Sequence, residues 1–450
     1  MEKSSLASQS MPAPSTTHTS RPSRLPGRFA RLPELAGPGF LPIALFARLP
    51  LAMLTVGTLT LATAVSHSYA IGGMAAGAVG IGSAVGAPVL GSLADRAGQR
   101  NVLLIAAVIN TLAVAGLLAA AYLTRTYDSP ADALTVLVTA FIAGASCPQV
   151  GPMARVRWMA LTTRNLQSAG AGQRSVAANR ADLDTALSYE GTADEITFVL
   201  GPALVGLLAS LLAPWLPLAI AALMTITLVP AFAIHPSHHA VVPHPRKPRS
   251  GVVGSEPQER QGRSAVAVVA VPVLAMVCMG TFFGATQNGL SAFGAEFATS
   301  EIAGLLYSVM GLSSAVAALS VAFWPQRFGL AARWVAAAAA MSLLTLLLLL
   351  PAGIWSMVFA LLVLGVPVGP VMVTVFSIGG VVAPHGRMAT VMTALASGIV
   401  AGTALGAYLG GQLAQDQGRA GAFLVSMAAA LGLLVLGLVT WLVMRRKGKA

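Results

Sequence analysis

The stretch GSLADRAGQRNVLL, residues 91–104, places one Asp and two Arg between apolar segments. Charged residues make up only 9% of the 450-residue chain, whereas hydrophobic residues make up 56%. A soluble domain has about a quarter of its residues charged, because those residues coat its surface. This chain therefore lacks the polar surface of a soluble protein, and its rare charges mark special positions.

Apolar segments recur along the chain, and about 20 such residues cross a hydrocarbon core roughly 30 Å thick. We predict an all-α integral membrane protein with twelve transmembrane helices, numbered one to twelve below. Charged or Pro/Gly-rich segments separate most of them. The predicted helices begin near Phe40, Ala70, Asn101, Ala131, Leu187, Pro214, Ala265, Ser300, Ala331, Ile354, Gly386 and Arg419.

The longest internal polar segment divides the predicted helices into two sets of six, which favours two pseudo-symmetric six-helix bundles. The predicted organisation is a disordered cytoplasmic tail (1–37), an N-terminal bundle (38–234), a cytoplasmic central loop (235–264), a C-terminal bundle (265–444) and a cytoplasmic tail (445–450).

Basic residues indicate the orientation. With the amino terminus in the cytoplasm, 24 of the 27 Lys and Arg residues fall on the cytoplasmic side. Such asymmetry is what the positive-inside rule predicts for a multi-pass protein of the cell membrane with both termini cytoplasmic. The net charge of +12 is therefore a topology signal. Because the charges are spread over short loops, we expect the lipid bilayer as a partner and no nucleic acid.

The opening stretch lies directly after the second helix. It resembles the loop signature of the major facilitator superfamily. A related sequence, QRFG at 326–329, follows the eighth helix and keeps the Arg and the Gly of DRAG at 95–98. The resemblance covers about residues 38–445 and points to the drug and metabolite efflux branch. It implies two rocking bundles, a monomer and no cofactor. Gln99 departs from the signature, and the positions that fit it are Gly91, Leu93, Ala94, Asp95, Arg96, Gly98, Arg100 and Leu103.

The signature is predicted to form a conformational latch. Gly91 permits close helix packing and Gly98 permits a tight turn. Asp95 suits the positive end of a helix dipole, and the resemblance implies that this helix is the eleventh, beginning near 386–389. The alternative is that Asp95 and Arg96 only hold the loop in shape. The predicted latch residues are Gly91, Asp95, Arg96, Gly98, Arg100 and, as further partners for Asp95, Arg155 and Arg157.

Ionisable residues inside predicted membrane helices are functional candidates, because an unpaired charge there costs free energy. Arg48 in the first helix and Glu195 in the fifth lie at similar depths, so we predict an Arg48–Glu195 ion pair. Glu195 either carries a proton that couples transport to the proton gradient, or the pair is permanent and structural. Glu190 and Asp194 are expected near the membrane interface, where their charges offset those of the basic loop before them.

Helix-bending residues follow in the fifth helix. Gly201, Pro202 and Gly206 match part of the antiporter signature of this superfamily, whereas Thr197 and Val205 replace two of its glycines. A packing kink is the alternative reading of these residues. The fourth helix also departs from the exporter pattern, because it carries no charge before Arg155, which we place at its cytoplasmic end.

Polar and helix-breaking residues in three helices are the candidates for a substrate cavity. The alternative role of the polar residues is to hold neighbouring helices together by hydrogen bonds. The fourth-helix break is echoed in the tenth helix. The candidates are Pro148, Gln149, Gln287, Asn288, Pro367 and Pro370.

Other functions fit the sequence less well. His235, His238, His239 and His244 lie in the central loop with interspersed Pro and without Cys, so we expect no metal site. We find no nucleotide-binding loop and no catalytic constellation at membrane depth, so we expect neither ATP-driven transport nor an enzyme. A channel would not need the latch.

The predicted function is secondary active transport by alternating access. The sparsely charged cavity favours efflux of a small, rather lipophilic organic compound in exchange for protons. The alternative is a proton-coupled importer of a sugar, amino acid or organic acid.

Overall fold

The computed structural model describes residues 27–124, 132–168, 173–244, 257–297, 302–325 and 327–446. These residues form α-helices and short 3-10 helices, and no β-strand occurs among them. Eleven helices of the described chain are long and apolar enough to cross a membrane. The last of them breaks at Gly418 and so contains two passes. The predicted all-α fold with twelve spans is confirmed.

The spans keep the numbering one to twelve, and the first and fourth are each built from two helices. In chain order the helices are Phe40–Phe46 with Leu49–Ser66, Tyr69–Ala97, Gln99–Leu123, Leu134–Ala145 with Val150–Ser168, Gln173–Leu211, Leu216–Ile234, Pro257–Phe297, Ile302–Ser320, Leu330–Thr345, Ile354–Val382, and Met388–Arg446, which holds both the eleventh and the twelfth.

Proline and glycine set the breaks. Pro50 stands in the first turn of the second helix of span one, where its missing N–H leaves no hydrogen bond unmade. Pro148 lies between the two helices of span four. Gly418 has φ of 63°, in the left-handed region that favours glycine, and it separates span eleven from span twelve.

One predicted span start is wrong: the fifth helix begins at Gln173 and its apolar span at Val176, rather than near Leu187. The seventh helix begins at Pro257, and its apolar span begins at Val268, close to the predicted Ala265. Hydropathy marks only the part of a helix in hydrocarbon, whereas polar turns can continue the helix beyond it. The predicted disordered tail is also wrong for its last residues, because Leu32–Ala36 is helical and Leu32 is buried. Residues 1–26, 245–256 and 447–450 lie outside the described chain, as does Gln326.

The two halves repeat the same packing. In the first half, span one packs on span five, two on four, and three on six. In the second half, span seven packs on eleven, eight on ten, and nine on twelve. Glycines permit the closest approaches, as where Gly86 meets the backbone of Ala145 and Gly369 meets that of Ala318. The internal repeat is therefore present in the helix packing, although the two halves share few identical residues.

One face of the bundle gathers several connections between spans. The ring of His235 bonds to the carbonyl of Pro38, just before span one, and the backbone N–H of His244 donates to the carbonyl of Asp95 at the end of span two. His244 also packs against Gly386, just before span eleven. We call this the terminal face, because spans one and twelve begin and end there.

Candidate functional site

Asp95 joins the two halves at the terminal face. Its Oδ1 accepts a 2.9 Å hydrogen bond from the backbone N–H of Ala389, and its Oδ2 accepts one of 2.8 Å from that of Thr390. The Thr390 hydroxyl donates to the same Oδ2 at 2.6 Å. These N–H groups open the eleventh span and would otherwise lack partners within the helix. We call this set of bonds the first gate contact.

Two glycines shape the first gate contact. A Cβ at Gly91 would lie 2.7 Å from the Ala389 carbonyl oxygen and would also collide with the hydroxyl of Thr393. Gly91 therefore lets spans two and eleven touch. Gly98 has φ of +87°, which turns the chain from span two into span three.

A second contact joins the halves at the equivalent place of the repeat. Arg333, in the first turn of span nine, donates to Asp184 of span five at 3.2 Å. Arg333 is buried, and it also donates to the carbonyl of Phe328 at 2.7 Å. Span five of the first half corresponds to span eleven of the second, so this second gate contact is the counterpart of the first. In the first contact span two supplies the carboxylate, whereas in the second contact span five supplies it.

A neutral network of four charged side chains lies inside the first half, and we call it the buried tetrad: Arg48, Arg155, Glu190 and Asp194. Arg48 Nη2 lies 2.6 Å from Glu190 Oε2, and its Nη1 lies 2.9 Å from Asp194 Oδ1. Arg155 Nη2 lies 2.7 Å from Asp194 Oδ2. The Trp158 indole N–H donates to Glu190 Oε1 at 2.9 Å. Two positive and two negative charges therefore compensate one another.

The predicted Arg48–Glu195 ion pair is wrong, as is the expectation that Glu190 and Asp194 lie near the membrane interface and offset the basic loop. Glu190 and Asp194 are four residues apart and so share one helix face, which points at Arg48. Glu195 is rotated by about 100° from Asp194 and points toward the other half. Depth alone was the reason for pairing Arg48 with Glu195, and depth does not specify direction around a helix.

Arg155 and Arg157 do not pair with Asp95, and neither lies at the end of span four. Span four continues to Ser168, so both arginines lie inside it and are at most 1% exposed. Span four carries no charge before Arg155, as predicted, but the prediction that Arg155 marks its end is wrong. Arg157 donates to Gln99 at 2.9 Å and to the Phe232 carbonyl at 2.7 Å, and its guanidinium stacks on the Phe232 ring.

The guanidinium of Arg155 also reaches the second half. It lies 4.0 Å from the centre of the Phe376 ring of span ten, within the range of a cation–π interaction. Its Nε is buried and has no hydrogen-bond partner among the described residues. The buried tetrad therefore touches the opposite half through an aromatic face.

Glu195 lies between the halves, outside the tetrad. It is 6% exposed, and the Ser314 hydroxyl of span eight donates to its Oε1 at 2.8 Å. Gly311 lies one turn from Ser314, close to the other carboxylate oxygen. In the described part of the chain, no Arg, Lys or His nitrogen lies within 4.0 Å of this carboxylate. A charge there is uncompensated unless a proton or a cationic ligand neutralises it.

The predicted cavity residues lie in spans four, seven and ten. Gln149 is buried and donates to the carbonyl of Cys147 within the break of span four. Asn288 donates to the Ala407 carbonyl at 2.6 Å and so joins spans seven and eleven, whereas its neighbour Gln287 is exposed. Pro148, Pro367 and Pro370 are buried.

The expected break in the tenth span is wrong, because Ile354–Val382 is one helix despite Pro367 and Pro370. In the fifth span, the helix likewise continues through Pro202. Gly201 permits contact with Ala52 of span one, whereas Gly206 faces open space. These prolines are accommodated within the packed bundle, where neighbouring helices support the backbone.

The segment after span six crosses the terminal face. His235 bonds through its ring to Ser237 and to the Pro38 carbonyl, and the His238 and His239 rings lie 3.9 Å apart. Partial burial lowers the pKa of His238, against the hydrogen bond from its ring to the His235 carbonyl. This segment therefore connects the first half to the neighbourhood of the first gate contact.

Sequence reasoning missed Asp184, Arg333, Ser314 and Phe376. Asp184 and Arg333 could have been found from the sequence, because each is a charged residue next to an apolar segment, where charges are rare. Ser314 and Phe376 carried none, because a small polar residue and an aromatic residue are ordinary in a membrane helix.

Comparison with known proteins adds the family. The family model described as Major Facilitator Superfamily matches residues 40–398, most of the chain. The chain belongs to this superfamily. No curated protein sequence matches the chain at a significant level.

Solved structures share the major facilitator fold. The crystal structure of the human organic anion transporter MFSD10 (TETRAN) has a TM-score of 0.63 and 16% identity, covering 91% of this chain and 99% of that one. The E. coli fucose:proton symporter FucP has a TM-score of 0.58 and 15% identity, covering 88% of this chain and 98% of that one. A bacterial homologue of the iron transporter ferroportin in the outward-facing state has a TM-score of 0.62 and 13% identity, covering 89% of this chain and 97% of that one. The chain is thus a multi-pass membrane protein with a transporter fold.

Proposed function

We propose that this major facilitator protein is a secondary active transporter that exports a small, rather lipophilic organic compound in exchange for protons. Its terminal face is cytoplasmic, so both ends of the chain lie in the cytoplasm of a cell whose plasma membrane holds the protein. The asymmetric distribution of Lys and Arg supports this orientation. The protein works as a monomer, since each chain has two halves that can rock against each other.

The position of Glu195 is the observation that supports proton coupling. The buried tetrad compensates its own charges, whereas Glu195 lies at the boundary between the halves with a hydroxyl as its hydrogen-bond partner. Motion of span five against span eight changes the surroundings of this carboxyl group. A proton bound from one side can therefore leave to the other, which is how a membrane carboxyl couples transport to a proton gradient.

The two gate contacts support alternating access. Asp95 with Thr390 and Asp184 with Arg333 both join the halves at the terminal face. While both are made, the cytoplasmic side is closed and substrate exchanges with the outside. Breaking both lets the halves separate there, which opens the site to the cytoplasm and completes the cycle.

The surroundings of Glu195 support a lipophilic cargo. Its neighbours across the interface are Ser314 and Gly311, and Val199 packs against Gly311. These residues offer little to bind a strongly charged nutrient, which favours export of an apolar compound over import of an organic acid.

Proteoliposomes with an imposed pH gradient test this function. We expect an acidic exterior at the face opposite the terminal face to drive labelled lipophilic compounds out, in the direction opposite to proton flow. Substrate moving with the protons would indicate the importer instead. Sidedness is established by protease cleavage of the carboxyl-terminal tail.

Glu195→Gln tests the coupling residue, since it removes the titrating proton and keeps the size of the side chain. We expect it to lose pH-driven accumulation while still exchanging substrate between equal concentrations. Glu296→Gln is the matched control, because Glu296 is half exposed beside Arg419 at the end of span seven. Undiminished pH-driven accumulation in Glu195→Gln would refute proton coupling through Glu195.

A further inference from the structure

The terminal face carries a cavity to which the transport cycle above assigns no ligand. Its volume is about 240 Å³, below the roughly 300 Å³ at which sites for drug-sized ligands begin. It lies beside the first gate contact, away from Glu195, so it is suited to a small group rather than to the cargo. The lining residues are Ser92, Asp95, Arg96, His244, His385, Gly386, Arg387 and Thr390.

The side chains of this cavity select an anion. Arg96 and Arg387 are exposed, and in the described part of the chain neither guanidinium group donates a hydrogen bond or forms an ion pair. The only carboxylate in the lining, Asp95, already accepts three hydrogen bonds from Ala389 and Thr390. Two unpaired guanidinium groups and two imidazoles therefore remain for a ligand.

Three separate parts of the chain supply these groups. Arg96 comes from the end of span two, His244 from the segment after span six, and His385 with Arg387 from the turn before span eleven. A phosphate group has oxygens in several directions and matches the donor fork of arginine. We propose that this cavity binds a phosphate group, carried by a lipid headgroup or by a free phosphate.

Binding at this cavity has a conformational consequence. Arg96 belongs to the first half and Arg387 to the second, so the complete site exists only while the first gate contact holds the halves together. A ligand that binds one state alone shifts the population toward that state. Phosphate binding therefore stabilises the form closed at the terminal face, independently of which cargo is carried.

Spin-label distances in the full chain test this proposal. Cys147 and Cys278 are replaced by Ala, and labels are placed at Asn101→Cys and Val381→Cys, two exposed positions. The protein is embedded in nanodiscs of a phosphate-free galactolipid, alone, with inorganic phosphate, or with phosphatidylglycerol. We expect the ratio of closed to open molecules to rise about fivefold or more with either phosphate source or with both.

The two sources are thereby distinguished: a response to inorganic phosphate indicates a free anion, and a response to phosphatidylglycerol alone indicates a headgroup. Arg96→Gln with Arg387→Gln should abolish the response. Arg180→Gln with Arg327→Gln removes the same charge from exposed positions outside the cavity and should retain it. If the cavity double variant is not folded, as judged by gel filtration, Arg387→Gln alone replaces it.

No response to either source overturns the proposal, as does an equal loss in both double variants, which would indicate general surface charge. The measurement needs no transport, so it is independent of the outcome of the proton-coupling test.

Discussion

Asp95 and Thr390 are 295 positions apart in the chain, yet the carboxylate of one accepts both the backbone N–H and the hydroxyl of the other, at 2.8 and 2.6 Å. This joins the last turn of span two, in the first half, to the start of a helix in the second. A carboxylate at a helix amino terminus gains from the helix dipole and from otherwise unpaired N–H groups.

Asp95→Asn should weaken the closed terminal face. The amide keeps an acceptor oxygen but loses the charge and one acceptor, which costs about 1 to 2 kcal/mol at a partly buried helix terminus. That corresponds to a shift of roughly five- to thirtyfold toward the open form. Accessibility of a cysteine near the end of span ten at the terminal face measures the shift. Asp416→Asn, at an exposed position, is the control, and equal accessibility in both variants would contradict a latch role.

Gly91→Ala should open the same face by steric conflict rather than by loss of charge. The added methyl would lie 2.7 Å from the Ala389 carbonyl oxygen, so spans two and eleven must separate. Gly80→Ala is the matched control, because a Cβ at Gly80, also in span two, meets open space. The spin-label distances across the terminal face should lengthen in the first variant alone. Identical distance distributions would argue against close packing at Gly91.

Arg333→Gln should imitate Asp95→Asn, because it breaks the bond to Asp184 in the second gate contact. As the two contacts share no residue and, in the proposed cycle, hold the same closed state, their effects on the open-to-closed equilibrium should add in the double variant. Arg327→Gln, an exposed change just before span nine, should leave the equilibrium in place. A closed state unaffected by Arg333→Gln would make the Asp184 contact irrelevant to gating.

The buried tetrad should govern stability. Glu190→Gln or Arg48→Gln leaves a buried charge without its partner and should lower the free energy of unfolding by about 3 to 5 kcal/mol. The double variant should lose less than the sum of the two. Unfolding in detergent, followed by circular dichroism during SDS titration, measures each loss. Glu296→Gln breaks an exposed pair with Arg419 and should cost about 1 kcal/mol or less. Additive losses would indicate that Arg48 and Glu190 are not coupled.

Much of the fold followed from composition and spacing. Twenty-residue apolar segments predict membrane helices because hydrocarbon leaves the backbone no partner but itself. The stretch around Asp95 and the polar central segment predicted two related halves. The extent of the fifth helix was not predictable from hydropathy, because its polar turns before Leu187 are stabilised by contacts such as Arg31 with Asp182.

The chain by itself thus determined which segments enter the lipid and which residues carry rare charges there, since both depend on the transfer of local groups from water. Only the tertiary structure decided how those charges pair. Glu190, Asp194 and Glu195 lie within six residues, yet the rotation of one helix sends the first two to Arg48 and the last to Ser314 in the other half. That choice depends on how neighbouring spans pack around the fifth, which no local pattern records.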